Sequence, residues 1–316
     1  NVLPAATFEA VAREWLGHQA AGWGDRTLGM IRRSLEAEVF PELGARPMAA
    51  IKPREVMDVV KGIEARGAGE TAGRVLQRVK AVYRYALVHE RIESNPMLDL
   101  RPAEILKPRQ VKHRAALADR DLPPFLAILD AYRGEPSVMS ALRLLMLTAV
   151  RPGELRGARW AEIDTEAAVW RIPGERMKMK APHLVPLSRQ ALAVIEAQRT
   201  VSGTDPAGLI FPSPFYPGRP LSENTMNSAL ARMGYGGGSH TAHGFRALFS
   251  TVANEQGHDA DVIERQLDHA ERNEVRAAYH RAEYLAERRT LMQWWADYLE
   301  TRKAGGKVFA LPGRAA

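Results

Sequence analysis

A chain of 316 residues predicts roughly two domains of about 150 residues each, and its apolar content is enough for a core in both. A net charge of +7 and a pI near 9.7 favour a polyanionic partner. The chain contains no cysteine, which excludes disulfides, thiolate nucleophiles and cysteine-zinc sites and fits a reducing cytoplasm. No apolar run is long enough to span a bilayer and no secretory signal is visible, so no membrane partner is expected.

The first hundred residues read as helices. Thr7 can cap a helix through Phe8, Val11, Ala12 and Trp15. Thr27 can open a second, with Leu28, Ile31 and Leu35 at helical spacing. Pro53 suits the first turn of a third, carrying Val56, Val59, Val60 and Ile63. After Gly69 one apolar stripe runs through Ala72, Val75, Leu76, Val79, Val82, Tyr83, Ala86 and Leu87. The polar side of that helix carries Arg74, Arg78, Lys80 and Arg84, with no acid between Thr71 and Val88. Taken alone, that is a solvated basic face; its functional reading is a helix along DNA, contacting phosphates.

Residues 101–114 differ in composition. Pro102 and Pro108 interrupt any helix, and Lys107, Arg109, Lys112 and Arg114 face a single acid, Glu104. The segment reads as a basic interdomain linker able to follow DNA, or as an ordinary exposed linker. Domains are therefore expected at 1–100 (helical) and 115–303, with a tail at 304–316.

The second domain opens with helical patterns over 119–131 and 137–148, and a short helix over 154–158. A β-compatible run, 168–172, can pair with His183-Leu184-Val185 as a hairpin whose turn holds Arg176, Lys178 and Lys180. Helices resume over 188–199, 222–233, 241–255, 259–267 and 281–302, the last anchored by Leu285, Leu291, Trp294, Trp295, Tyr298 and Leu299. The fold class expected is mostly α with a small β-sheet.

The chemistry concentrates late in the chain. His243-Gly-Phe-Arg246, then His269, then Tyr279 bring two histidines, an arginine and a tyrosine into one stretch, with Arg151 far upstream. Arginine grips phosphate bidentately, and tyrosine can act as a covalent nucleophile. A tyrosine pKa near 10 makes it a poor nucleophile at neutral pH, so it needs cationic neighbours or a base. His243 and Arg246, three residues apart, share a helix face and can reach one phosphate. The combination suggests phosphoryl transfer on a nucleic-acid backbone without a metal.

The residues Thr148-Ala-Val-Arg151-Pro-Gly-Glu154-Leu, Val185-Pro-Leu187, His243-Gly-Phe-Arg246, Leu267-Asp-His269 and Ala278-Tyr279-His-Arg281 resemble, in order and spacing, the tyrosine recombinase or phage integrase family. Arg176-Met-Lys178-Met, Arg219-Pro-Leu-Ser222 and Met292-Gln-Trp-Trp295 are similar to its prophage and genomic-island branch. The resemblance implies a helical core-binding domain and a mixed α/β catalytic domain forming a C-shaped clamp on DNA. Members of that branch carry a further amino-terminal domain for arm-type sites, and the start at Asn1 rather than methionine suggests a missing upstream piece.

The resemblance also implies roles. Tyr279 attacks a phosphodiester and forms a 3′-phosphotyrosyl bond. Arg151 and Arg246 clamp the phosphate, and His269 adds a hydrogen bond to it. His243 orients the phosphate or takes the tyrosine proton. A turn lysine, Lys178 with Lys180 in reserve, protonates the leaving 5′-oxygen. No cofactor is implied. The implied partners are double-stranded attachment sites, a homotetramer on DNA, DNA-bending proteins and a directionality factor.

Other readings stand beside these. Glu154 is assigned to buttressing the Arg151 turn. His240 and His243 could form a metal pair, but no cysteine and no His-Glu-x-x-His motif accompany them. His183 and His280 read as surface or structural, and Trp294 and Trp295 as packing anchors. Tyr284 competes with Tyr279 but faces elsewhere on a helix. The same chemistry suits a type IB topoisomerase-like nicking-closing enzyme, and a catalytically silent DNA-binding protein is the alternative outside enzymes. Covalent capture on nicked DNA separates the last from a recombinase.

Overall fold

The computed structural model describes residues 6–108, 116–177, 180–216, 218–269 and 283–305. The chain divides into two compact units, 1–112 and 113–316, each with its own apolar core.

The first unit is helical. Helix α1 (Phe8–Gln19) starts where the Thr7 hydroxyl accepts from the Ala10 amide at 3.3 Å, and it buries Phe8, Val11, Ala12, Trp15 and Leu16. Helix α2 spans Asp25–Glu38, starting two residues before Thr27. Helix α3 (Pro53–Ala65) has proline at its first turn, and the Glu55 carboxylate accepts from the Lys52 amide at 2.8 Å. Helix α4 (Gly69–Val88) buries the expected stripe from Ala72 to Ala86, while Leu87 is exposed. Buried Tyr83 donates its hydroxyl to the Met48 carbonyl at 3.1 Å, fixing α4 against the loop before α3. The one-turn helix α5 (Pro102–Ile105) follows.

The second unit is built around one helix. Helix α6 (Leu122–Ala131) precedes α7 (Pro136–Thr148), which buries residues on nearly all its sides and is the axis of the core. The short α8 (Pro152–Arg156) comes next. Then come β1 (Ile163–Asp164), β2 (Val169–Ile172) and β3 (His183–Pro186), an antiparallel sheet in that order. The β2–β3 hairpin is as expected, with Ile172 opposite His183 and Val169 opposite Pro186. The two-residue β1 was not foreseen, being too short to carry an alternation.

Helices α9 (Arg189–Ser202), α10 (Thr225–Leu230), α11 (Gly244–Glu255), α12 (Ala260–Gln266) and α13 (Leu285–Lys303) complete the unit. Three of these start three or four residues later than the sequence suggested. At α11 the Gly244 amide turns back to the Thr241 carbonyl and hydroxyl, which makes His243 the first cap rather than an interior residue. Before α13, Tyr284 has a left-handed backbone (φ 45°), so it lies outside the helix that was expected to include it. The α13 indole of Trp295 is fully buried and donates to the Met146 carbonyl at 2.8 Å, locking this helix onto α7. Trp294 and Trp295 pack in the protein as expected. Among the described residues no helix is long and apolar enough to cross a membrane.

Candidate active site

Two helix ends meet to form the site. Helix α7 stops at Ala149, whose backbone is left-handed (φ 52°), and α12 stops at Asp268, also left-handed (φ 49°). Neither is glycine, so each turn costs about 1 kcal/mol of local strain. The turns aim backbone carbonyls at two arginines.

Arg246 lies in the first turn of α11 and is 5% exposed. Its Nη1 donates to the Ala149 carbonyl at 2.7 Å and its Nη2 to the Leu267 carbonyl. The same Nη2 lies 3.1 Å from His269 Nε2. Burial, then the charge of Arg151, push its pKa down to about 10, against Glu154, Asp268 and Glu264. It remains cationic at neutral pH.

Arg151 caps α8 ahead of Pro152. Its Nη1 donates to Glu154 at 2.7 Å and to the Asp268 carboxylate at 2.6 Å, and its Nη2 donates to the Asp268 carbonyl at 2.6 Å. The Arg151 amide donates to the other Glu154 oxygen at 2.8 Å, so Glu154 buttresses both the backbone and the side chain of this residue. Burial opposes the charge, but the hydrogen bonds that Arg151 donates to Glu154 and Asp268 outweigh it and hold the pKa above the ordinary arginine value. The successive residues Leu267, Asp268 and His269 thus hold Arg246, hold Arg151 and supply an imidazole.

A guanidinium has no acceptor, so His269 Nε2 must accept from Arg246. The ring proton then sits on Nδ1 and is donated to Glu264 at 2.7 Å. The sequence reading missed this orienting carboxylate, which lies five residues before His269. His243 caps α11, half-buried, one turn from Arg246.

Lys178, Tyr279 and His280 lie outside the described residues, as do Arg109, Lys112 and Arg114. Lys180 is described: it is exposed and left-handed (φ 55°), in the chain leading to β3. His183 and His240 are both buried, at 1% and 3% exposed. His240 accepts from the Leu117 amide at 3.2 Å and packs edge-on to Phe245, which makes it a core residue rather than a metal ligand beside His243.

At 100° per residue, Arg74, Arg78, Lys80 and Arg84 fall within about 160° of the circumference of α4, opposite its buried stripe, but Arg78 and Lys80 are half-buried. Arg74 pairs with Glu70, and Arg78 is half-buried against the Ser34 hydroxyl. Lys80 donates to the carbonyls of Leu98 at 2.9 Å and Leu100 at 2.6 Å, closing the chain after α4. Arg84 is exposed, and so is Lys107, whose amide donates to Glu64 at 2.7 Å.

Two family models match the chain: the phage integrase central domain over residues 8–103 and the phage integrase family over residues 118–285. The integrase of Enterobacteria phage P4 is 41% identical over 314 residues, covering 95% of this chain and 70% of that protein. Prophage integrase IntA of Escherichia coli (strain K12) is 38% identical over 302 residues, covering 96% and 72%. A lambda integrase, solved as a tetramer bound to a Holliday junction, is 18% identical with a TM-score of 0.69, covering 85% of this chain and 79% of that one. That last likeness is one of fold.

Proposed function

The chain belongs to the phage integrase family, the site-specific tyrosine recombinases that integrate phage or prophage DNA, and from that membership we propose how its own residues carry out the reaction. Tyr279 Oη attacks a DNA phosphorus as the P–O5′ bond breaks. One proton passes from the tyrosine to His243 and another from Lys178 to the leaving 5′-oxygen. The product is a 3′-phosphotyrosyl bond and a free 5′-hydroxyl. A 5′-hydroxyl of the exchange partner reverses the step and restores the phosphodiester, so no external energy source is required.

The convergence of Arg151, Arg246 and His269 on the Leu267–His269 turn carries this reading. A phosphate entering there meets two guanidinium groups held before it arrives. Preorganised charge of this kind stabilises the oxyanion that grows in the transition state. Bound DNA takes the place of part of the Asp268 contact on Arg151, while Glu264 keeps the His269 ring beside Arg246. In the same reading four copies act on two paired attachment sites, and the helical unit grips the duplex through Arg74, Arg84, Lys107, Arg109 and Lys112. DNA-bending and directionality factors join at that stage.

Covalent capture tests the proposal. On a nicked attachment-site duplex the parent protein should become linked to DNA in a denaturing gel. Tyr279→Phe should bind the same duplex with unchanged affinity and form no adduct. Adducts in that variant would move the nucleophile elsewhere.

A further inference from the structure

Helix α13 buries an arginine that the reaction as described does not use. Arg288 is 0% exposed. It stands one turn before Leu291 and Met292, on the face that packs into the core. Its Nε donates to Gln266 Oε1 at 3.0 Å, its Nη2 to the Leu184 carbonyl and its Nη1 to the Glu283 carbonyl at 3.3 Å. The Glu283 carboxylate lies 3.9 Å away, so the cation rests mainly on neutral acceptors. Burial, then the Arg265 charge, push its pKa down to about 10, so it remains charged at neutral pH.

A buried charge is a costly way to gain stability, because apolar packing often serves as well when the cation and its partners are replaced together. Its placement offers another reason. Gln266 is itself fully buried, and its Nε2 donates to the Thr148 carbonyl at 3.0 Å. The donor on Oε1 decides which way that amide points. One residue further along each segment, Arg246 joins the Ala149 and Leu267 carbonyls. The ends of α7 and α12 are therefore joined by two parallel cross-links, and Arg288 sets the first. Its other arm reaches Leu184 in β3, the strand that follows the lysine turn. Next to Leu184 on that strand, His183 is buried with its pKa pushed down to about 3, by burial first and then by the Arg288 and Arg265 charges, so it stays neutral beside Arg288.

We propose that Arg288 is a positioning residue for strand cleavage, holding β3, the strand that follows the lysine turn in the chain, in register with the two-arginine clamp. The inference rests on the recombinase reading above. Because it acts through Gln266 and Leu184, it affects the rate of the chemical step and leaves DNA affinity alone. A misplacement of about 1 Å at a reacting group can lower a rate a hundredfold.

Arg288→Met tests this, since it keeps volume in the core without a charge. Three quantities are measured with the full chain: melting temperature, affinity for attachment-site DNA, and the single-turnover rate of adduct formation at saturating DNA. The variant should melt below the parent, because Gln266 and the Leu184 and Glu283 carbonyls lose their donor, yet stay folded at the assay temperature, bind DNA within about threefold, and cleave at least about thirtyfold more slowly. A 5′-bridging phosphorothiolate needs no proton at its leaving sulfur, so it should recover at least about tenfold of the lost rate. Arg288→Lys, which keeps the charge but cannot reach three acceptors, should show the same pattern and replaces Met if that variant does not fold. Parental cleavage in either folded variant overturns the proposal. A loss of cleavage that tracks lost DNA affinity overturns it too, as does a loss the phosphorothiolate leaves untouched. A parent protein that forms no adduct would instead refute the recombinase chemistry on which the inference stands.

Discussion

Replacing Arg246 separates the chemistry of the clamp from the stability of the fold. Arg246→Ala removes the donors to the Ala149 and Leu267 carbonyls, both at left-handed or helix-ending turns. Leaving a buried acceptor unsatisfied costs about 1–3 kcal/mol each, so the two together cost about 2–6 kcal/mol. Relief from burying a cation at 5% exposure offsets part of that. The transition state loses one charge contact, worth about a hundred- to a thousandfold in rate, or 2.7–4 kcal/mol. Arg151, Arg246, Glu154 and Asp268 balance to zero charge, and removing one arginine leaves a net negative site that repels phosphate. Arg246→Lys keeps the balance, yet an ammonium lacks the planar fork that offers separate N–H groups to two carbonyls and a phosphate. Both variants should therefore lose cleavage by at least about a hundredfold, Ala with a lowered melting temperature and Lys with a smaller drop. Single-turnover adduct formation at 20 °C, with circular dichroism to confirm folding, reads both effects. A folded Arg246→Lys protein cleaving within about fivefold of the parent would refute the clamp as argued.

Three further outcomes are expected. Lys178→Ala should slow cleavage of an ordinary phosphodiester and recover on a 5′-bridging phosphorothiolate, while Lys180→Ala should be milder and unaffected by the sulfur; the reverse pattern would make Lys180 the acid. Acid should destabilise the second unit. His183 and His240 are pushed down to about 3 and about 4, both chiefly by burial. Their folded pKa values lie below the unfolded value, so the unfolded chain takes up protons first, and stability present at pH 7.5 is lost as pH falls below about 6.5. At pH 5 each histidine accounts for a loss of about 2 kcal/mol. Urea titrations from pH 7.5 to 5 should show it, His240→Phe should remove about half, and a pH-independent midpoint would contradict it. Finally, DNA affinity should fall steeply with salt, and replacing Arg109 and Lys112 together by alanine should flatten the slope by roughly two units for any sequence; an unchanged slope would leave the linker charge as solvated surface.

Much of the fold was legible because its helices carry local signals. Thr7, Pro53 and the α4 stripe each state a start or a buried face within a few residues. The β2–β3 hairpin was legible from two β-compatible runs flanking a short turn. Helix starts were less so, since Tyr284 and Thr241 act through backbone turns that the apolar period does not encode. The basic side of α4 was legible from its helical wheel, though only the fold shows that Leu98 and Leu100 take the Lys80 ammonium.

The site divides along the same line. Arg151, His243, Arg246 and His269 stood out as residue types in a recognisable order. What holds them did not. Asp268 and Glu264 look like surface acids, and Gln266 like a polar residue near a helix end, until 117 residues of separation close to bring Asp268 against Arg151. Arg288 left one trace, a charged residue on the buried face of α13, at a position where leucine would be expected. A charge at a core position has to be explained by what it touches, and here it touches α12, which ends at the clamp, and β3. The groups proposed for the chemistry could be read one residue at a time. Their alignment depends on backbone carbonyls, and a carbonyl carries no sequence identity, so only the folded chain reveals it.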